Sequence, residues 1–313
     1  MKRKVIQIAD STQLVSLPRK WAQRCNISKG DEVEVTEEGN KLIISTEKSP
    51  TLGAVEVDIT GLDRTSVMFL IRALYKNGYD EIKISFKKPF CENLRTKTQE
   101  NIIAIIPREV ARLSGVEIFT QREDYYIIRT ISEDTPKVFD TMLRRVFLLV
   151  SESMNDLIEG YEKGNPPLLE TIQTKHDTIT RFVSYSQRLL NKVGYHDYKK
   201  SNTMYHILEV VDAIIDMLKY NARDMLAHKV KASKEGLEIY KAIHKSFNIY
   251  HELHYSFSTR KVYELSKNRH EVLEAIQASQ KKIPKEELNL LVSMEQILEY
   301  ILNLVNSRMA LEY

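Results

Sequence analysis

The sequence predicts a multidomain α+β chain: a small β-rich N-terminal module, a small α/β middle module and an all-α C-terminal half made of a pair of three-helix bundles. Three observations predict it. Short alternating runs, broken by a few short helical stretches, extend to about residue 131, and from Asp134 a period of 3.6 sets in and persists. Ten glycines and eight prolines in 313 residues leave room for long, uninterrupted elements. Charge is segregated near the start: residues 1–30 carry seven cations against Asp10 alone, whereas residues 31–47 carry Lys41 against six acids. One small module therefore has a basic and an acidic surface.

Composition excludes other classes. Hydrophobic residues at 42% and charged residues at 28% are globular values, so a disordered chain is excluded. The net charge of +3 is too near neutral to mark a nucleic-acid binder by itself. Cys25 and Cys91 form no CxxC pair, which excludes a cysteine zinc site or a disulfide scaffold and fits a reducing compartment. No run of about 18 apolar residues predicts membrane insertion, and the first residues turn polar too early for a signal peptide. A cytoplasmic location is expected.

In residues 1–47, Lys4 to Ile8 and Leu14 to Leu17 read as short strands split by the turn Asp10-Ser11-Thr12. Pro18 opens a short helix from Arg19 to Cys25, because a proline costs no hydrogen bond at a helix start. Asn26 to Asp31 is a turn, and Glu32 to Val35 with Lys41 to Ile44 alternate around Glu38-Gly39-Asn40 as a hairpin. So short a unit buries too little apolar surface to stand alone. It should be completed by a second copy, so a homodimer through this module is expected.

Glu47 to Thr51 reads as a linker. Residues 52–131 read β-α-β-α-β-β: a strand over 54–59, a helix from Thr65 to Asn77 stopped by Gly78, a strand over 81–86, a helix over part of 97–113 interrupted at Pro107, and a hairpin of 116–119 with 125–128. From residue 134 to 313 the pattern is helical. Asp134-Thr135-Pro136 starts the first helix and Gly164-Asn165-Pro166-Pro167 ends it. Further helices run to about Lys192, from about Ser201 to His228, over about 233–256 and 258–281, and onward from Ile283-Pro284. A weak repeat relates Lys175-His176-Asp177 to Arg269-His270-Glu271, which predicts two bundles on one plan.

The basic cluster Lys2, Arg3, Lys4, Arg19, Lys20, Arg24 and Lys29, doubled in a dimer, would form a positive face suited to phosphate. The run Leu14-Val-Ser-Leu-Pro18-Arg-Lys-Trp21, then Asn26-Ile27-Ser28-Lys29-Gly30-Asp31-Glu32-Val33-Glu34-Val35 and Leu42-Ile43-Ile44, resembles the swapped-hairpin SpoVT/AbrB domain. The resemblance covers about residues 3–47 and implies an intertwined dimer that binds DNA, with Lys2, Arg3, Lys4, Gln13, Arg19, Lys20 and Arg24 as its contacts. Two positions depart from the family: Thr12-Gln13 stands where arginine is frequent, and Ala22-Gln23 where basic residues are frequent.

Carboxylates are the second candidate set. Glu209, Asp212 and Asp216 lie three and four apart on one helix face, and Glu295 and Glu299 lie four apart on another. Such spacings either hold hard cations between helices or make a solvated stripe. The paired bundles resemble the phosphate-uptake regulator PhoU, and Met294-Glu295-Gln-Ile-Leu-Glu299 matches its acidic motif with glutamate in the last place. The resemblance implies a divalent or ferric metal ion at Asp177, Glu209, Asp212, Asp216, Glu271, Glu295 and Glu299. Gln173 and Lys267 stand where first acids would fall, so the implied site is eroded. His244, His251 and His254 share a helix face and are a third, weaker ligand set, more ordinary as surface residues.

Catalytic patterns are missing: there is no phosphate-binding glycine loop, GxSxG or HExxH. His176 and Asp177, as sequence neighbours, should diverge on a helix rather than form a dyad. Cys25 reads as a packing residue. The chain is expected not to be an enzyme. Taken together, its ends resemble archaeal PhoU-domain proteins with an N-terminal SpoVT/AbrB domain. That resemblance implies a DNA-binding regulator of phosphate homeostasis, or alternatively an adaptor that docks on a phosphate transporter ATPase or a signalling protein. A metal-storage bundle is the third reading.

Overall fold

The computed structural model describes residues 2–8, 12–46, 53–132, 134, 136–228, 232–279 and 281–313. Asp10 and Ser11 of the first turn, the 47–51 linker and Thr135 lie outside these residues. The chain divides into two units, one of Met1–Val110 with Gly115–Thr135, the other of Ala111–Ser114 with Pro136–Tyr313.

The first unit begins with β1 (Ile6–Ile8) and β2 (Thr12–Leu14), antiparallel with Ile6 opposite Leu14. Pairing stops at Leu14, short of the expected Leu17. Pro18 is the residue before α1 (Arg19–Arg24), where its fixed φ of −61° sets the chain direction into the helix. Asn26 takes a left-handed φ of 49°, which its short polar side chain tolerates. β3 (Glu34–Glu38) and β4 (Lys41–Ser45) pair with Glu38 opposite Lys41, leaving Gly39-Asn40 as a two-residue loop with Gly39 at φ 59°. The first hairpin strand thus begins two residues later than the sequence predicts. The two hairpins are separate two-stranded sheets.

The rest of this unit is a four-stranded sheet in the order β5-β6-β10-β9, from β5 (Ala54–Asp58), β6 (Glu81–Ser85), β9 (Val116–Gln121) and β10 (Tyr125–Thr130). β5 and β6 are parallel, and the others antiparallel. α2 (Arg64–Lys76) connects β5 to β6, capped by Asp63, which accepts from the backbone N–H groups of Thr65 and Ser66. α3 (Ile102–Val110) precedes β9. Val67, Ile71 and Tyr75 of α2, Ile105 and Ile106 of α3, and the alternate residues Ile82, Ile84, Tyr126 and Ile128 make the buried core.

Two expectations fail here. Residues 98–101, placed within reach of a helix, form a strand: β7 (Phe90–Asn93) and β8 (Thr98–Asn101) pair as an additional hairpin. The polar run Thr98-Gln99-Glu100-Asn101 carries no apolar alternation, so no periodic signal marks it. Pro107 also does not interrupt its helix. Its missing N–H leaves the Ile103 carbonyl without the usual helical donor, and the Tyr126 hydroxyl donates to that carbonyl instead, at 3.3 Å.

The second unit is helical: a 3-10 turn (Pro136–Val138), α4 (Phe139–Lys163), α5 (Pro166–Lys192), α6 (Ser201–His228), α7 (Lys234–Tyr255), α8 (Thr259–Ser279) and α9 (Lys285–Glu312). Gly164 ends α4 in the left-handed conformation (φ 59°), Pro166 and Pro167 open α5, and the Ser233 side chain caps α7. α4, α5 and α6 pack together, as do α7 with α8 and α9, and the two sets meet along α6–α9 and α4–α7. α8 leans on α7 and barely touches α9, so the second set is less closed than the first. α9 is long and apolar enough, by length and composition alone, to cross a bilayer. Its Leu290, Leu291, Met294, Ile297, Leu298 and Ile301 are instead buried within the helical unit.

Candidate nucleic-acid interface

The cations at the N-terminus are all on the surface. Lys2, Arg3 and Lys4 precede β1, Arg19 and Lys20 are the first two residues of α1, and Arg24 is its last. Among the described residues none of these six forms an ion pair with a carboxylate. Gln13 lies on β2 opposite Gln7, and both side chains are exposed. Unpaired cations are free to neutralise a polyanion, whereas paired ones would first have to give up a partner.

The same module leaves apolar surface uncovered. Leu42 is 65% exposed, Val5 60%, Ile6 57% and Val35 55%, and Ile8, Leu14, Val15 and Ile43 are also exposed. Among the described residues before 47, only Cys25 is buried. β-branched and leucine side chains in strands belong to a packed face. Here each hairpin has one, and none of the described residues covers it, which is how a half-core looks before its second half arrives.

The seven carboxylates proposed for metal come out differently. Those of α6 lie against the polar edge of α5, and because the helices run antiparallel, rising numbers on one meet falling numbers on the other. Gln187 donates to Glu209, Thr180 Oγ1 donates to Asp212 at 2.9 Å, and His176 Nε2 meets Asp216 Oδ1 at 2.8 Å. Lys219, itself buried, donates to Asp216 and lies 2.9 Å from His176 Nε2. Asp177 accepts from Gln173 at 3.1 Å and from Arg112 of the 111–114 segment at 3.3 Å. Across α8 and α9, Arg269 Nε donates to Glu299 at 2.9 Å, while Glu271 pairs with Lys267 on its own helix and Glu295 is half-buried on α9.

These contacts correct the metal expectation. Among the described residues no three His, Cys, Asp or Glu side chains converge as ligands. Spacing put the acids on shared faces, but six of the seven are already held by a lysine, arginine, glutamine, threonine or histidine. The histidine set does not converge either. His244 bonds Ser151 Oγ at 2.9 Å, while His251 and His254 lie on the Phe147 ring with centroids 5.5 and 4.9 Å away. Burial lowers all three, His254 to about 4, with Arg308 and His251 adding to the effect there.

His176 and Asp177 also depart from expectation: Nδ1 reaches Asp177 Oδ1 at 3.0 Å, so neighbours that leave the helix in different directions still meet through their side-chain torsions. Burial opposes the imidazolium most strongly. The bonds to Asp177 and Asp216 outweigh it, with Lys219 pulling the other way, and His176 is raised above its ordinary value. Asp216 is pushed by burial toward neutrality but held down to about 2 by His176 and Lys219. Thr180, Gln187, Lys219 and Arg269 are the partners that sequence reasoning missed. Lys219, three residues after Asp216 on the same face, was the available signal.

Comparison with known proteins agrees with the first of these two places. Residues 6–52 match the family model described as "Antidote-toxin recognition MazE, bacterial antitoxin". No curated protein and no solved structure gives a significant match to the chain. The match covers the two hairpins and α1, and it supports a regulator whose N-terminal module is a DNA-binding, AbrB-like swapped hairpin of the kind that dimerises.

Proposed function

We propose that this chain is a cytoplasmic, homodimeric DNA-binding regulator and not an enzyme. Two N-terminal modules complete each other's core and present Lys2, Arg3, Lys4, Arg19, Lys20 and Arg24 from both chains to the phosphate backbone, with Gln13 beside them. The observation that carries this reading is the coincidence, in one 45-residue stretch, of uncovered apolar strands and unpaired surface cations. The first calls for a second copy and the second for a polyanion.

The helical half is the receiving end. Its two sets of three helices and the Met294 to Glu299 motif support a PhoU-like role in phosphate homeostasis, exercised by docking a ligand or a protein rather than through the carboxylates, most of which are already held. Coupling requires that the docked state favour one arrangement of the two DNA-binding modules.

The test is duplex binding by the full chain across a range of salt. A steep fall of affinity with salt is expected, made shallower by about three to four in log–log slope in an Arg19→Ala, Lys20→Ala variant, since the dimer loses two contacts per chain and each phosphate contact contributes about 0.9. Binding that ignores salt, or none, favours the adaptor that uses its N-terminal module only to dimerise.

A further inference from the structure

The β7–β8 hairpin is outside the four-stranded sheet and packs by its root against α2 and α3. Its root is tightly held. Cys91 and Asn93 point inward and are buried, and Glu100 collects Asn93 Nδ2 at 2.5 Å, Arg64 Nε at 3.1 Å and Arg108 at 3.3 Å. Its tip is built too: Asn93 Oδ1 accepts from the backbone N–H of Arg95 at 3.1 Å and of Thr96 at 3.4 Å, and the Thr96 and Thr98 hydroxyls bond at 2.7 Å.

What this ribbon displays is mostly positive. Residues 87–99 hold Lys87, Lys88, Arg95 and Lys97 against Glu92 alone. All four cations are exposed, and none is paired with a carboxylate among the described residues. Phe90 and Leu94, 56% and 63% exposed, stand among them. A fold that needed this hairpin only for stability would turn Phe90 and Leu94 inward and pair some of the cations. Here the inward positions are satisfied by Cys91 and Asn93, and the outward ones are left open.

We propose that the β7–β8 ribbon is a second DNA-contacting element, gripping duplex phosphates with Lys88, Arg95 and Lys97 while Phe90 and Leu94 lie against the sugar edges. A two-stranded ribbon is of a width that the major groove admits, and a preformed tip loses little entropy on binding. The inference rests on the DNA-binding reading above and extends its footprint from the N-terminal module to the middle one.

The full chain carrying Lys88→Ala, Arg95→Ala and Lys97→Ala is compared with the parent on a random duplex across salt. The log–log slope is expected to become shallower by about five, three contacts being lost from each of the two chains, with an unchanged thermal midpoint because the side chains are exposed and unpaired. The charge-keeping set Lys88→Arg, Arg95→Lys and Lys97→Arg should retain the parent slope. An unchanged slope in the alanine set, with Arg19→Ala, Lys20→Ala still reducing it, overturns the ribbon and leaves the regulator standing. A parent chain that binds no duplex overturns both. Loss of binding to phosphatidylserine vesicles with the duplex slope intact assigns the ribbon to a membrane surface and overturns the proposal as well.

Discussion

His176 Nε2 on α5 lies 2.8 Å from Asp216 Oδ1 on α6, and this contact decides what the acidic face of α6 does. A carboxylate engaged by a buried imidazole and a buried lysine is part of the helix–helix seam. The charge it would lend to a cation is already balanced.

A pH dependence follows. His176 is raised, so its contribution to stability is complete below its unfolded value of 6.5 and is lost as pH climbs through the higher folded value. His176→Gln should therefore lower the thermal midpoint more at about pH 6 than at about pH 8. Equal losses at both values would mean that the imidazolium is not the stabilising form.

The Tyr126 hydroxyl fills the acceptor that Pro107 leaves open. Tyr126→Phe should cost about 1 kcal/mol in denaturant unfolding, the penalty of a partly buried carbonyl losing its donor. In a Pro107→Ala background the helix supplies its own N–H to Ile103, and the same substitution should cost less. A double-mutant cycle reads the difference.

Gly236, in the first turn of α7, faces the fully buried Glu287 of α9, whose Oε2 also accepts from the Ser233 N–H at 3.2 Å. A Cβ at 236 would overlap Glu287 Oε1. Gly236→Ala should destabilise by about 1–3 kcal/mol, even though alanine is the better helix former. Chemical denaturation distinguishes this from the small gain expected on helix propensity alone.

Leu42 offers the clearest test of the uncovered apolar face. Burying a leucine is worth about 1.5–3 kcal/mol, and in a symmetric dimer it counts twice. Leu42→Ala should weaken dimerisation about a hundredfold or more, read by sedimentation equilibrium, with little change in the helical circular dichroism signal.

How far the sequence reveals this molecule depends on where the deciding physics lies. Helix ends in the C-terminal half were legible because local chemistry sets them: Gly164 for the left-handed stop and Pro166 for the restart. The β7–β8 hairpin was not, since its strands are polar and its stability comes from Glu100 gathering Arg64, Arg108 and Asn93 from elsewhere in the chain. Pro107 misled for a related reason: the compensating hydroxyl of Tyr126 is nineteen residues away. The N-terminal cations were legible in position, because segregated charge needs no tertiary information. The carboxylates of α6 were legible in spacing but not in use, because nothing in that spacing says that His176 and Thr180 stand opposite.

The central claim is that a half-core at the N-terminus, completed by a second copy, forms a DNA-binding face. Native mass spectrometry of the full chain mixed with a short duplex in low salt tests it most directly. Two chains on each duplex are expected, with the complex dissolving as salt is raised; one chain per duplex, or dimers that leave the duplex free, would contradict it.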